Sequence, residues 1–431
     1  MKKRIIASFC FLVIMLAGVF SASLAASAAV ADAPMAVSHA LHVIANDSSM
    51  AMAGIKGGRI TFDADDFARA MNLSSVESIT ITEAPPIADG ELLIGTAVVN
   101  GNQTVSAANL SLMTYSQKSE TGAASYFKFR TDDSPYEIKC ELYMLDSVNQ
   151  APTLSTVPEL TLDVSTHKNV KLYGTLSAYD PEGDDIRIEI VSYPKRGTLI
   201  MTDASEGTYT YAPSEDFTGA DSFTYVARDK YGNYSASKTV SLTVRSTSAS
   251  VEYEDLADSP YHNAALTMAE YRIMGAGEGS LFLPDGTVSR EDFLIMAMRS
   301  VGVTDVADAS STPFADTADM TATGRAYVSA AYELGYIKGT YVDGELCYLP
   351  NEPISRAEAA VIVANIIDAA SPAVTPVFAD SLDVPAFARG AVASLNYMGI
   401  LADRGGSIMA NADLTRGEAA EMLSLVIRVN G

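Results

Sequence analysis

The chain has 431 residues, 48% of them hydrophobic, and its 53 Asp and Glu against 29 Lys and Arg leave a formal net charge of −24. This length and apolar content predict several domains with real cores and exclude a wholly disordered chain. The acidic balance argues against a nucleic-acid binder, because neutralising phosphates requires a surplus of Lys and Arg. Three Cys and four His are too few for a Cys/His zinc framework or a disulfide-rich scaffold.

Residues 1–28 are predicted to be a secretory signal peptide. A Lys-Lys-Arg start at residues 2–4 is followed by an apolar run over 5–20 and a small-residue cleavage site at 26–28. The apolar run is short for a membrane anchor, and no later run is long enough to span a bilayer. We therefore expect a secreted protein with no transmembrane segment after cleavage.

Residues 149–247 are predicted to form a β-sandwich, because short alternating runs are separated by turn residues over about a hundred positions. The segment resembles the bacterial Ig-like and cadherin-like repeats of surface proteins. The resemblance is carried by Asn-Gln-Ala-Pro at 149–152, Asp-Pro-Glu-Gly-Asp at 180–184, Tyr-Thr-Tyr-Ala-Pro at 209–213 and the run from Phe217 to Tyr225.

A fainter copy of this pattern lies upstream. Ile79 and Ile81, followed by Gly90, echo the Ile188–Ile190 region followed by Gly197, and the Phe127-Lys128-Phe129 run echoes Phe223 to Tyr225. We therefore expect residues 35–147 to form a second, degenerate β-sandwich module.

The acidic run of the sandwich is a candidate metal site. Asp180, Glu182 and Asp184 offer clustered carboxylate oxygens, the ligands that calcium prefers. The spacing is not that of an EF-hand loop, and the same residues make a good turn between two strands. The sequence favours the turn and leaves calcium open as the one candidate cofactor.

The remaining chain contains a threefold repeat, with units predicted at 251–310, 311–373 and 374–431. Each unit opens on an aromatic-x-Asp motif and later has a Ser/Thr-Arg-x-Asp/Glu motif, whose arginines recur at spacings of 66 and 60 residues. The hydroxyl and acidic residues of the second motif are typical of a capping box that starts a helix. They do not explain the arginine, which a helix N-terminus slightly disfavours. The residues alone leave open whether it binds a ligand or forms a structural salt bridge.

The repeat resembles the S-layer homology domain, which implies a mainly α-helical, pseudo-threefold domain whose grooves bind a secondary cell-wall polymer, often carrying a pyruvate ketal. A guanidinium fork suits such a carboxylate. By this resemblance, the predicted polysaccharide-binding residues are Arg290, Arg356, Arg416, Asp255, Asp316, Asp380 and Gly339. Arg356 is the best-supported contact, because its unit keeps both the Ser355–Glu358 capping pair and Gly339.

The sequence departs from the family pattern in the flanking units. The usual Trp is replaced by Tyr261 in the first unit and Phe387 in the third, and Ala276 and Asp403 stand where the second unit has Gly339. Some grooves are therefore expected to be vestigial. Asp403 in particular would repel an anionic sugar.

The sequence predicts a multidomain, non-catalytic cell-surface protein, in which all-β sandwich modules precede a helical wall anchor. No catalytic triad, phosphate loop or catalytic metal cluster is recognisable. The sequence leaves open whether the modules self-assemble in an S-layer lattice, hold an adhesive partner or act as a spacer. The alternatives are an adhesin that binds carbohydrate or protein through the first sandwich, and a wall-anchored hydrolase with its active site in residues 35–147.

Overall fold

The computed structural model describes residues 49–71, 73–118, 124–131, 136–154, 159–372 and 377–430. The predicted signal peptide and the start of the first module lie outside these residues. In the part of the chain that is described, no helix has the length and apolarity needed to cross a membrane.

The first module pairs two sheets around one core. One sheet has the order β1-β9-β8-β3-β6 and the other β2-β7-β4-β5, and their inner faces share a cluster that includes the mutually packed rings of Phe67, Phe127 and Phe129. The elements are β1 (Ser49–Ile55), β2 (Arg59–Thr61), α1 (Ala64–Ala70), β3 (Ser78–Glu83), β4 (Gly90–Ile94), β5 (Ala97–Val98), β6 (Gln103–Ser106), α2 (Ala107–Leu110), β7 (Met113–Gln117), β8 (Ala124–Arg130) and β9 (Ile138–Leu145).

The second module is also built from two sheets, with the orders β10-β16-β15-β12 and β11-β14-β13. Its core is formed by alternating residues of both sheets, as the sequence predicts for a half-buried strand. The elements are α3 (Glu159–Leu162), β10 (Asp163–His167), β11 (Leu172–Thr175), β12 (Ile186–Ser192), β13 (Gly197–Asp203), β14 (Thr208–Pro213), β15 (Gly219–Asp229) and β16 (Lys238–Arg245).

The two modules share the pairings that their sequence echo suggests. Ile81 on β3 lies opposite Phe129 on β8, as Ile190 on β12 lies opposite Tyr225 on β15. In each module the first strand runs parallel to the last, β1 with β9 and β10 with β16. The glycines of the echo have a steric role, because a Cβ at Gly90 or Gly197 would collide with a tyrosine ring of the neighbouring strand.

A helical region follows the β modules, which confirms the predicted order of fold classes. Its helices enclose one continuous apolar core, and a small hairpin lies between α6 and α7. The elements are α4 (His262–Glu270), α5 (Arg290–Ser300), α6 (Ala322–Glu333), β17 (Thr340–Val342), β18 (Glu345–Cys347), α7 (Arg356–Ile366), α8 (Arg389–Tyr397) and α9 (Arg416–Asn430).

Candidate functional site

The repeated arginines are the first residues of α5, α7 and α9, and the predicted caps precede them. The Ser355 hydroxyl and the Glu358 carboxylate form a full capping box at α7. At α5 the Ser289 hydroxyl accepts from the Asp292 N–H at 3.1 Å, and at α9 the Thr415 hydroxyl accepts from the Glu418 N–H at 3.3 Å. The predicted capping is therefore confirmed at the starts of α5, α7 and α9.

The repeated aspartates each hold a loop of their own unit. Each carboxylate accepts hydrogen bonds from two consecutive backbone N–H groups, and the second residue of each pair, Leu283, Leu349 or Met409, has a positive φ of 60°, 61° or 52°. A left-handed conformation is costly for such residues, so the carboxylate offsets local strain. The contacts are Asp255 with Phe282 and Leu283 (2.8 and 2.7 Å), Asp316 with Tyr348 and Leu349 (3.0 and 2.7 Å), and Asp380 with Ile408 and Met409 (both 2.8 Å).

These hydrogen bonds also set the charge state of the aspartates. Burial by itself would raise the pKa of Asp255, but the N–H groups of Phe282 and Leu283 hold that pKa below its ordinary value. The pKa of Asp380 is lowered in the same way by Ile408 and Met409, against the effect of burial. Both carboxylates are therefore ionised loop anchors, a role that the family resemblance alone does not identify.

Each arginine reaches the loop that an aspartate of another unit holds. The Nε–H of Arg290 donates to the Tyr348 carbonyl at 2.9 Å, that of Arg356 to the Ile408 carbonyl at 2.8 Å, and that of Arg416 to the Phe282 carbonyl at 2.9 Å. The predicted arginines and aspartates therefore meet at the same loops, and their contacts link the three units in a ring.

Two links of the ring also contain an ion pair. The Arg290 guanidinium pairs with Glu358, and the Arg356 guanidinium pairs with Glu418. For Arg416 no ion pair is found among the described residues. Its guanidinium lies over the Phe282 ring at 5.0 Å. The position on α5 that corresponds to Glu358 and Glu418 is occupied by Asp292, whose side chain is one methylene shorter than that of glutamate.

Asp292→Glu is expected to complete this third link. The longer carboxylate would approach Arg416, and at the third position of α5 it would also form a full capping box with Ser289. We expect the free energy of unfolding to rise by up to about 1 kcal/mol, the usual upper value for a partly exposed pair. Denaturant unfolding followed by circular dichroism at the helix band measures it, with Asp292→Gln as the uncharged control. Equal stability of the Glu and Gln variants would show that no new ion pair forms.

Arg356 is the most deeply buried of the three arginines, at 3% exposure. Besides Glu418 and the Ile408 carbonyl, its guanidinium donates to the Ala402 carbonyl at 2.6 Å. A ligand would have to displace these partners to reach it. Of the two alternatives that the residues leave open, this geometry therefore favours the structural salt bridge for Arg356.

Gly339 has a packing role in its loop. Its φ is +76°, and a Cβ there would collide with the Phe314 ring and the Cys347 carbonyl. The glycine therefore leaves room for Phe314, the aromatic residue of the unit's opening motif, which is buried in the core of the helical region. At the matching position of the third unit, the Asp403 carboxylate accepts from the Gly406 N–H at 2.8 Å.

A groove with a cavity of about 160 Å³ lies beside the Arg356–Glu418 pair. It is lined by residues of all three units, including Tyr261 from the first unit, Arg356 from the second, and Arg404 from the third. The Arg404 guanidinium also pairs with Glu418, yet 42% of its side chain is exposed. Arg404 is thus the solvent-facing cation of this groove, and sequence reasoning missed it because it belongs to no repeated motif.

The tyrosine that replaces the family's Trp lies against this groove. A Cβ at Gly417 would collide with the Tyr261 ring, so Gly417 on α9 makes room for it. Burial raises the pKa of Tyr261, and the Glu421 and Glu418 carboxylates raise it further. The phenol therefore stays neutral and can donate a hydrogen bond beside the Arg404 guanidinium.

The acidic run of the second module forms the predicted turn. One carboxylate oxygen of Asp180 accepts from the N–H groups of Glu182 and Asp184 at 3.0 Å each, around Gly183 at a φ of +79°. Asp180 is only 3% exposed, and its other oxygen has no hydrogen-bond partner among the described residues. Ligand oxygens of the three acidic residues lie within 4.8 Å of one another.

This cluster lies where the two β modules meet. Asp184 accepts from the Asn149 amide at 2.6 Å, and Asn149 in turn accepts from the Asn233 amide at 2.7 Å. The loop before Asn233 contacts the first module, because the Tyr231 and Tyr143 rings are 5.1 Å apart. Asp229 is buried in the same region, where burial raises its pKa and Asp180 adds to that effect.

Two family models match the chain. Residues 149–246 match the bacterial cadherin-like domain, and residues 313–360 match the S-layer homology domain. The Surface-layer 125 kDa protein of Lysinibacillus sphaericus is 26% identical over 154 residues, which cover 32% of this chain and 13% of that protein.

Two solved structures resemble parts of the chain, with low identities and TM-scores. The Drosophila N-cadherin EC1-3 structure is 15% identical and covers 42% of this chain and 57% of its own, with a TM-score of 0.21. The Clostridium thermocellum CbhA fibronectin(III)-like modules are 16% identical and cover 47% of this chain and 93% of their own, also with a TM-score of 0.21. By its family matches, the chain contains a bacterial cadherin-like domain at residues 149–246 and an S-layer homology domain at residues 313–360.

Proposed function

We propose that this protein is exported and anchored to the cell wall by residues 251–430, which bind a secondary cell-wall polysaccharide without any catalytic activity. The observation that carries the proposal is the threefold recurrence of one arrangement. The loop at Tyr348 and Leu349, which Asp316 holds and Arg290 contacts, lies within the matched S-layer homology domain. The same arrangement of an aspartate, a loop and an arginine from another unit recurs at Asp255 and at Asp380. This recurrence supports three S-layer homology units around shared grooves.

The groove beside Arg404 is also lined by Asp403, whose carboxylate accepts from the Gly406 N–H of its own loop. Arg404 and Tyr261 supply the hydrogen-bond donors that such a polymer requires. An exposed guanidinium can present two N–H donors to the carboxylate of an acidic sugar, such as one carrying a pyruvate ketal. The Tyr261 phenol adds a neutral donor. Because the chain is strongly acidic overall, diffuse attraction would not hold an anionic polymer, and binding must depend on such a preorganised site.

Cosedimentation with wall sacculi of the producing bacterium tests this proposal. The full-length mature chain is expected to pellet with native sacculi and to remain in the supernatant after the secondary polymer has been removed by acid extraction. Equal pelleting with extracted sacculi would show that the chain binds peptidoglycan instead. No pelleting with either would contradict wall anchoring.

We also propose that Asp180, Glu182 and Asp184 bind calcium. The observation that favours this is the unpartnered, buried carboxylate oxygen of Asp180, which is costly to leave unsatisfied. A hard divalent cation takes carboxylate and amide oxygens at such a cluster. Since the cluster lies at the contact between the β modules, bound calcium would stabilise that junction.

Calcium is expected to raise the melting temperature of the β modules, and chelation to lower it again. At a calcium concentration of 100 times Kd, the stabilisation is about 2.7 kcal/mol. Asp180→Asn should abolish the calcium-dependent shift, because it removes the charge on the unpartnered oxygen, whereas the exposed Glu215→Gln in the same module should preserve it. Melting followed at the strand band of the circular dichroism spectrum measures the effect. Identical melts in calcium and chelator would show that the cluster is only a turn.

A further inference from the structure

A large cleft separates the cadherin-like domain from the helical region. Its volume is about 1260 Å³, above the range of about 300–1,000 Å³ that is typical of small-molecule pockets. One wall is formed by β11 and β14, and the other by α4, the end of α8 and α9. The space therefore suits an extended ligand of several units better than a single small molecule.

The two walls are fixed to each other by a polar contact network. The His167 and Asn263 side chains are joined by a hydrogen bond of 2.7 Å, and the Asn263 amide also donates to the Ser165 carbonyl at 2.8 Å. The Arg245 guanidinium donates to the Thr267 hydroxyl at 2.9 Å. Because these contacts link the second module directly to α4, the cleft is preformed, which lowers the entropic cost of binding.

The cleft is continuous with the groove at Arg404. Leu401, Ala402, Asp403 and Glu421 line both spaces. A linear polymer with one unit held in the groove would therefore pass directly along these residues into the cleft.

The lining favours neutral sugars over an anionic ligand. Hydroxyl groups line both walls, among them Thr208, Thr210 and Ser424. The arginines are already engaged within the protein, Arg245 with Thr267 and Arg428 with the Leu160 carbonyl. The carboxylate of Glu206, which lines the cleft and not the groove, would repel an anion.

Two tyrosine rings offer stacking surfaces. Tyr179 from the second module and Tyr271 from the end of α4 both line the cleft, and each is 55% exposed. Exposed aromatic rings present flat apolar faces together with a hydroxyl group, a combination common at surfaces where one side of a ligand is apolar and the other is wet.

We propose that this cleft binds a neutral segment of the same wall polysaccharide that the groove binds, so that the cadherin-like domain takes part in wall attachment. The inference rests on the proposed function of the groove. It adds that affinity depends on the length of the polymer. Fragments confined to the groove would bind independently of the second module, whereas longer fragments would gain contacts with Tyr179 and Tyr271.

Calorimetry of the full mature chain with size-fractionated polysaccharide, released from wall sacculi without acid so that its ketals stay intact, tests the inference. The wild type is expected to bind fragments of many repeats more tightly than single-repeat fragments. The double variant Tyr179→Ala, Tyr271→Ala should lose about tenfold affinity for long fragments, as two aromatic contacts predict, and none for single repeats. Tyr341→Ala, which removes a tyrosine that is 75% exposed on the β17–β18 hairpin, is the matched control.

The outcomes separate the two proposals. If the double variant is folded and binds long fragments as tightly as the wild type, the cleft is not a binding site, while the groove proposal stands. If the affinity of the wild type does not depend on the length of the polysaccharide fragment, the cleft contributes no binding and the cleft inference is wrong. If the wild type binds neither fragment class, the proposed function of the groove fails, and the cleft inference fails with it.

Discussion

Replacing Arg356 with alanine is expected to lower the free energy of unfolding of the helical region by about 3–5 kcal/mol, the usual cost of removing one partner of a buried ion pair. The truncation leaves the Glu418 carboxylate, which is also buried, without its principal buried partner. It also leaves the Ile408 and Ala402 carbonyls without the N–H groups that they accept from. The ring that links the second unit to the third would open at this point.

Denaturant unfolding followed at the helix band measures this loss. Arg356→Lys is expected to recover little of it, because an ammonium group cannot reach one carboxylate and two carbonyls in the fork geometry of a guanidinium. Arg404→Ala is the matched control in the same groove. Because its side chain is 42% exposed, it should cost less than about 1 kcal/mol. If Arg356→Ala were as stable as the wild type, the structural role inferred for this arginine would be wrong.

Arg404→Ala is expected to weaken binding of the wall polymer while leaving the fold intact. The loss of a charge-assisted hydrogen bond to the ligand corresponds to about 1.5–3 kcal/mol, or a decrease in affinity of about 10- to 150-fold. Glu418 keeps its pairing with Arg356 in this variant, so the groove should retain its shape. The sequence resemblance assigns the ligand role to Arg356 instead, and the two variants therefore separate a structural arginine from a binding one.

Binding of the variants to native sacculi provides the comparison. Arg59→Ala, which removes an exposed arginine on β2 of the first module, changes the net charge equally and should bind as the wild type does. If Arg404→Ala also bound as the wild type does, the groove beside Tyr261 would not be the polymer site. A weakening common to both variants would instead indicate a general effect of net charge.

The local features of the fold could be predicted from the sequence, because they depend on neighbours in the chain. The caps at Ser289, Ser355 and Thr415 follow from residues three positions apart. The strands of the second module follow from period-two alternation. Even the weak echo between Ile79–Ile81 and Ile188–Ile190 corresponds to strands with equivalent pairings.

The roles of the repeated charges could not be predicted in the same way. The contact of Arg416 with the Phe282 carbonyl joins residues 134 positions apart, and no local spacing encodes it. The aspartates accept hydrogen bonds from backbone N–H groups about thirty positions later. Because the partners are backbone groups, no pattern of side chains indicates these contacts. Arg404 had no motif to reveal it, since its exposure and its place beside Tyr261 arise only when the three units come together.

Titration calorimetry of the full mature chain with purified polysaccharide released from wall sacculi tests the central claim most directly. We expect saturable binding that is abolished when the acidic substituents of the polymer are removed, because we propose that the Arg404 guanidinium binds a carboxylate of the polymer. The absence of saturable binding to the intact polymer, with the chain shown to be folded by its circular dichroism spectrum, would contradict the assignment of the helical region as a wall anchor.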